Sequence, residues 1–126
     1  MTKDRPFGTA KVFVYGTLRN DYPGSMAAYL RRFSEFKERA CLKDYALYGM
    51  GGYPCVTLSE GDKCYGHVFD GVSPEVLDRL DGYEGYPHHY NRERVIVTGD
   101  SGTTHECLVY TYSEAPRSGT KMEEWV

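Results

Sequence analysis

The sequence predicts an α+β fold, a mixed sheet or partly closed barrel into which two helices are inserted. Most segments that read as regular structure are short β-branched and aromatic runs bounded by glycine. Helical periodicity occurs only twice, at intervals rather than after every strand, which does not suit a doubly wound parallel sheet. Length sets the scale: typical domains hold roughly 100–200 residues, so residues 1–126 are expected to form a single domain around one core.

Lys11 to Tyr15 reads Lys-Val-Phe-Val-Tyr, a buried strand stopped by Gly16. After Asp21-Tyr22-Pro23-Gly24, Ser25 is placed to cap a helix whose apolar face is Met26, Tyr29, Leu30 and Phe33, with Arg31, Arg32 and Glu35 left for solvent. Ala40–Tyr48 and Cys55–Leu58 read as strands, separated by Gly49-Met50-Gly51-Gly52-Tyr53-Pro54, a stretch that excludes regular structure and can approach a ligand closely. Gly61-Asp62 is expected to turn the chain into a further strand, Lys63–Phe69. Ser73-Pro74-Glu75 carries a cap, a proline for the first helical position and an early acid, and Val76, Leu77 and Leu80 form the buried stripe of this second helix, which Gly82 is placed to end. Two alternating strands follow at about Arg92–Thr98 and Thr104–Tyr112, joined by Gly99-Asp100-Ser101-Gly102. From Ser113 onward an irregular arm is expected, packed by Trp125.

With 40% apolar and 26% charged residues and a formal net charge of −3, the chain has too balanced a surface for an electrostatic nucleic-acid binder. Its polar N-terminus and the lack of a long apolar run oppose a signal peptide or membrane helix, so a cytoplasmic protein without nucleic-acid or membrane partners is expected. Cys41, Cys55, Cys64 and Cys107 are widely spaced, with no Cys-x-x-Cys pair, and read as reduced, mostly buried thiols rather than a metal cluster.

Three segments hold residues suited to chemistry. Tyr15-Gly16-Thr17-Leu18-Arg19 ends a strand in a glycine turn whose successive amides can form a nest for a carboxylate or an oxyanion; the plain alternative is an ordinary strand-to-loop turn. Leu80-Asp81-Gly82-Tyr83-Glu84-Gly85-Tyr86 sets an acid just past a helix end among aromatic rings, where shielding raises a carboxyl towards neutrality, unless the acid is simply solvated. Asp81 is its rival, with a capping or turn explanation. Tyr90-Asn91-Arg92 opens a strand on which the tyrosine and arginine point the same way, to a substrate, to the carboxylate, or simply to the surface.

The His88-His89 pair lacks a third ligand, and neighbours in an extended chain face opposite sides, so no metal site is assigned. Cys55, Cys64, His67 and His105 lie mid-strand rather than on a nucleophile elbow, which opposes a cysteine hydrolase. The glycines at Gly49, Gly51 and Gly52 lack the Gly-Lys-Ser/Thr ending of a phosphate loop.

Taken together, Val12-Phe13-Val14-Tyr15-Gly16-Thr17-Leu18, Gly52-Tyr53-Pro54, and Leu80 to Tyr86 followed by Tyr90-Asn91-Arg92 resemble the γ-glutamylcyclotransferase-like superfamily, and within it the small γ-glutamylamine cyclotransferase group. The resemblance covers nearly the whole chain. It implies a small mixed β-barrel with a pocket framed by the Tyr15–Leu18 turn, the Gly52–Pro54 loop and the acid. It further implies Glu84 as general base and acid, backbone amides of Gly16, Thr17 and Leu18 as substrate contacts, and Tyr15 and Tyr90 as pocket walls. The implied reaction needs no cofactor and releases 5-oxoproline and an amine from a small γ-glutamyl amide. Relatives commonly end in a Pro-Ser-Gly-Asp-Trp-like segment; here a longer charged stretch separates Arg117-Ser118-Gly119 from Trp125, a departure that bears on the leaving-group side. Tyr83, Tyr86 and Tyr90 suit a flat aromatic or nucleoside-like group equally well. The competing reading is a module on the same fold that holds a small metabolite without turning it over.

Overall fold

In the computed structural model, which describes residues 9–16, 18–19, 23–49, 54–86, 90–112, 116 and 119–125, the run Ala-Lys-Val-Phe-Val forms β1 (Ala10–Val14). Val12, Phe13 and Val14 are apolar on successive positions because this part of the strand is buried on both faces. Phe13 and Tyr15 join Leu42, Leu47, Val56, Val68, Val97 and Val109 in a cluster supplied by all five long strands. Val12 and Val14 join Leu30, Phe69, Val72, Val76 and Leu80 in a second cluster, beneath the helices.

The remaining elements are α1 (Ser25–Phe33), β2 (Glu35–Gly49), β3 (Pro54–Val72), α2 (Pro74–Glu84), β4 (Asn91–Gly99), β5 (Thr104–Thr111) and β6 (Thr120–Met122). Strand order β3-β1-β5-β4-β2 closes through β2–β3 pairing into a five-stranded mixed barrel, with β6 added to the edge of β2. All pairings are antiparallel except β1–β5, which is parallel and meets at Val12 and Leu108. The α+β barrel with two inserted helices is therefore the fold. Among the described residues no helix is long and apolar enough to cross a membrane.

Four local expectations are corrected. The strands expected at Cys55–Leu58 and Lys63–Phe69 are one strand, β3, because both flanks of Gly61-Asp62 pair with β2. The register runs from Lys43 opposite Lys63 to Tyr45 opposite Leu58, so residues 59–62 are an outward bulge facing Asp44. Asp44 has φ 67° and accepts the Gly61 amide at 3.1 Å, while Ser59 closes the bulge on Asp62 at 2.6 Å. A local turn signal thus became a bulge once both arms found the same partner.

In α1 the cap position is Gly24, with no side-chain hydrogen bond, and Ser25 is the first helical residue. The buried residues are Ala27 and Leu30; Met26 and Tyr29 are half-buried and Phe33 is 51% exposed.

Ser73 does cap α2, its hydroxyl accepting the Val76 amide at 3.3 Å, with Pro74 in the first turn. Gly82 does not end this helix. Gly85, left-handed at φ 70°, stops it, the Gly85 and Tyr86 amides donating back to the Gly82 and Asp81 carbonyls at 3.3 and 2.9 Å. At the C-terminus the expected arm is not wholly irregular, since Thr120–Met122 pairs with Leu47–Gly49; Trp125 packs against the barrel cluster.

Candidate active site

Tyr15 directly follows β1, its ring buried and its hydroxyl donating to the Tyr110 carbonyl on β5 at 2.7 Å. The chain then turns at Gly16, whose carbonyl accepts the Arg19 amide at 3.1 Å. A Cβ on Gly16 would collide with the Pro54 ring, so glycine is required where these two segments touch. Pro54 opens β3, and its carbonyl accepts the Tyr90 hydroxyl at 2.5 Å. Leu18 is buried in the cluster that contains Tyr90, Tyr110, Leu80 and Cys55. Thus Tyr15, Gly16, Leu18, Pro54 and Tyr90, from three separate stretches of sequence, meet at one end of the barrel. Thr17, Gly52 and Tyr53 lie outside the described residues, as do His88 and His89.

Glu84 reaches the same place from α2. It is the last helical residue rather than a loop residue, because the stop signal is Gly85 and not Gly82. Helical geometry gives its side chain a defined direction that a loop would not. Burial pushes its carboxyl up to about 7. The Tyr15 hydroxyl is held well above its ordinary range, first by burial, then by the nearby Tyr90 and by the charge of Glu84. Burial likewise raises the Tyr110 hydroxyl, with Asp81 next and a smaller contribution from Glu84. A carboxyl that titrates near neutrality between phenols is suited to accepting and returning a proton at physiological pH.

Asp81 lies one helical turn before Glu84. Besides its carbonyl's role in ending the helix, its carboxylate accepts the Tyr110 hydroxyl at 2.7 Å and pairs with Arg92 at 2.5 Å, and the Arg92 guanidinium lies over the Tyr86 ring at 4.6 Å. Arg92 therefore spans from β4 to α2. Tyr110, absent from the sequence-based candidates, bonds Asp81 through its hydroxyl and Tyr15 through its carbonyl, and its hydroxyl feels the charge of Glu84; the only signal for it in sequence is its place on an alternating strand. Arg19, directly after the glycine turn, is buried and reaches Glu124 of the C-terminal arm at 3.4 Å, and Arg39 holds the same carboxylate at 2.9 Å.

Cys55 and Cys64 are not activated thiolates: burial drives Cys55 up to about 11 and Cys64 up to about 12. His105 on β5 sits between Glu38, at 2.6 Å, and Lys11, at 3.0 Å, on another part of the barrel, where Glu38 of β2 also accepts the Ser101 hydroxyl of the β4–β5 turn.

Comparison with known proteins bears on the family and the fold. A family model described as gamma-glutamyl cyclotransferase, AIG2-like matches residues 12–126. A gamma-glutamylaminecyclotransferase of Bos taurus is 33% identical over 136 aligned positions, which take in 99% of this chain and 75% of that protein. An AIG2-like protein of Arabidopsis thaliana is 30% identical over 122 positions, covering 90% of this chain and 70% of that one. The crystal structure of an AIG2-like protein from Mus musculus superposes with a TM-score of 0.78 at 25% identity, covering 94% of this chain and 88% of its own.

Proposed function

The chain belongs to the gamma-glutamyl cyclotransferase, AIG2-like family, and from that premise we propose that it cleaves a γ-glutamyl amide, releasing 5-oxoproline and a free amine, with Glu84 moving the proton. The observation that carries this reading is the half-buried Glu84 carboxyl at the end of α2, near enough to Tyr15 and Tyr110 for its charge to reach both hydroxyls, with loss of solvation pushing its own value up to about 7.

The reaction is intramolecular. The substrate's α-amine attacks its own γ-carbonyl carbon, so holding the glutamyl chain in a ring-like pose supplies much of the rate advantage as effective concentration. Once the ammonium form has lost a proton to solvent, the attacking nitrogen forms the new C–N bond and loses a second proton to Glu84. The tetrahedral intermediate then collapses. The old amide C–N bond breaks as Glu84 returns that proton to the leaving nitrogen, and the lactam and amine part with the carboxylate restored. A carboxyl near 7 performs both halves at neutral pH, whereas an ordinary solvated one is too weak a base. Backbone amides of Gly16, Thr17 and Leu18 would hold the substrate carboxylate or the oxyanion, with Tyr15, Tyr90 and the Gly52-Tyr53-Pro54 loop as walls. No step calls on a cofactor.

The Bos taurus relative's name supports a γ-glutamylamine as the preferred class. A mass-spectrometric assay of the purified protein against γ-glutamyl amines, γ-glutamyl amino acids and glutathione tests this. Release of 5-oxoproline by wild type and not by Glu84→Gln is expected; absence of 5-oxoproline from the whole panel would overturn the reading.

A further inference from the structure

We propose that Asp81 is a positioning residue for Glu84: by holding Arg92 and the Tyr110 hydroxyl together it pins the last turn of α2 to β4 and β5, and keeps the guanidinium charge off the Glu84 carboxyl. The inference rests on the reading of Glu84 as the proton-transferring group.

Asp81 and Glu84 are three positions apart on one helix, so their side chains lie on the same face, one turn from each other. Asp81 is anchored on two sides of the barrel wall. Tyr110 Oη on β5 donates to one carboxylate oxygen at 2.7 Å, and Arg92 Nη1 on β4 donates to the other at 2.5 Å. The ion pair is mostly enclosed, with the Arg92 and Asp81 side chains only 23% and 20% exposed, and the Tyr86 ring lies along the guanidinium. The same Tyr110 hydroxyl feels the charges of Asp81, Arg92 and Glu84, which places all three groups around one point.

The groups that surround Glu84 make the consequence specific. Tyr15 at the end of β1 and Tyr110 on β5 are near enough to feel its charge, and Tyr90 lies beside Tyr15. Tyr15 and Tyr110, both raised above the ordinary phenol range, are neutral throughout the physiological range. Among the described residues, the charged groups held in this cluster are Asp81, on the helix itself, and Arg92, on β4, and they are paired with each other. With that pair intact, burial is the cause that raises the Glu84 carboxyl. Removing one partner would uncover the other: an unopposed guanidinium favours the ionised carboxylate, and an unopposed carboxylate disfavours it. The two substitutions must therefore act on Glu84 in opposite directions, which a merely structural role for the pair does not produce.

The test titrates Glu84 by 13C NMR in protein labelled at the glutamate carboxyl carbon, with its resonance assigned from its loss in Glu84→Gln. Wild type, Asp81→Asn and Arg92→Gln are compared, each checked for folding by near-ultraviolet circular dichroism. The expected result is a midpoint lower by about one pH unit in Asp81→Asn and higher by a similar amount in Arg92→Gln. The acidic limb of kcat/KM for 5-oxoproline release should move in the same two directions, with kcat reduced about tenfold or more in Asp81→Asn as the carboxyl loses its alignment. Unmoved midpoints, or midpoints that move in one direction together, would overturn the inference. Should Asp81→Asn not fold, Arg92→Gln decides alone, an increase supporting the proposal and no change overturning it. Because the NMR titration needs no turnover, opposite shifts in a protein that releases no 5-oxoproline would leave the charge arrangement standing and remove the catalytic reading instead.

Discussion

The Tyr90 hydroxyl donates to the Pro54 carbonyl at 2.5 Å, joining positions 36 apart in sequence at the barrel end where Glu84 lies. Pro54 also packs its ring against Gly16, so one proline is held from both sides by the segments singled out in the sequence. Tyr90→Phe removes the donor from a buried residue's carbonyl. We expect a loss of about 1–3 kcal/mol in stability, read from the urea midpoint at unchanged m-value, and a several-fold rise in KM for the γ-glutamyl substrate.

Gly16→Ala tests the contact from the other side. The new methyl group meets a rigid proline ring rather than the end of a flexible side chain, so the turn or β3 must move. The expected cost is about 1–3 kcal/mol, with a larger proportional loss of turnover. Shortening the neighbour should relieve it: Gly16→Ala in a Pro54→Ala background should be less damaging than the sum of the two single changes, as a double-mutant cycle in chemical denaturation would reveal.

Activity should depend on the ionised form of Glu84. As its carboxyl titrates at about 7, kcat/KM should rise with pH and bend at an enzyme ionisation centred near that value, climbing less steeply above it as the substrate ammonium loses its proton. Glu84→Gln preserves shape but cannot accept a proton, so turnover should fall at least about a hundredfold at every pH. A wild-type limb at the ordinary carboxylate range, below about 5, would remove Glu84 as the titrating base.

The same group makes stability depend on pH with a definite sign. Burial raises the folded-state value of Glu84 above its unfolded one, so the folded protein binds the proton more tightly. Its contribution is fully present below the ordinary glutamate range and is lost as pH rises through about 7. On the order of 2–3 kcal/mol is at stake across that interval. Thermal melts of wild type and Glu84→Gln between these limits should converge at the acidic end and diverge at the basic end, the glutamine variant being the more stable there.

Glu124 has the opposite sign and a smaller effect. The Arg39 hydrogen bond holds its carboxyl below the usual range, so its contribution exists above that range and is lost as pH falls through the depressed value. With its side chain 39% exposed, the benefit is screened to about 1 kcal/mol or less. Glu124→Gln should lower Tm slightly at pH 7, and that difference should vanish in strong acid. Because Arg19 shares the carboxylate beside the glycine turn, a modest increase in KM should accompany it.

Much of the site was legible in the chain before any folding was considered. The strand-and-glycine opening at Lys11–Gly16, the aromatic-shielded acid at Glu84 and the Tyr90 strand are each local patterns, and the local forces that produce them, strand propensity, helix stop signals and side-chain alternation, act over a few residues. Ser73-Pro74 starting α2 and the hairpin of β4 and β5 follow for the same reason. The choice between Gly82 and Gly85 as helix stop was beyond that reach. Both are glycines within one turn, and the decision depended on which could adopt the left-handed conformation while Leu80 and Val76 remained packed on the core.

Local sequence determined which residues are capable of chemistry here; pairing across the barrel decided which of them meet. Gly61-Asp62 carries every mark of a reversal, yet both of its flanks pair with β2, and the ladder turned it into a bulge. Asp81 looked like a helix-end residue, and its links to Arg92 and Tyr110 became possible only when β4 and β5 were laid beside α2. Gly16 against Pro54, Tyr90 on the Pro54 carbonyl and Tyr15 on the Tyr110 carbonyl are likewise contacts between distant segments. Barrel closure sets their distances, and with them the burial that holds Glu84 near neutrality, because desolvation is a property of the surrounding packed elements and not of the residue itself.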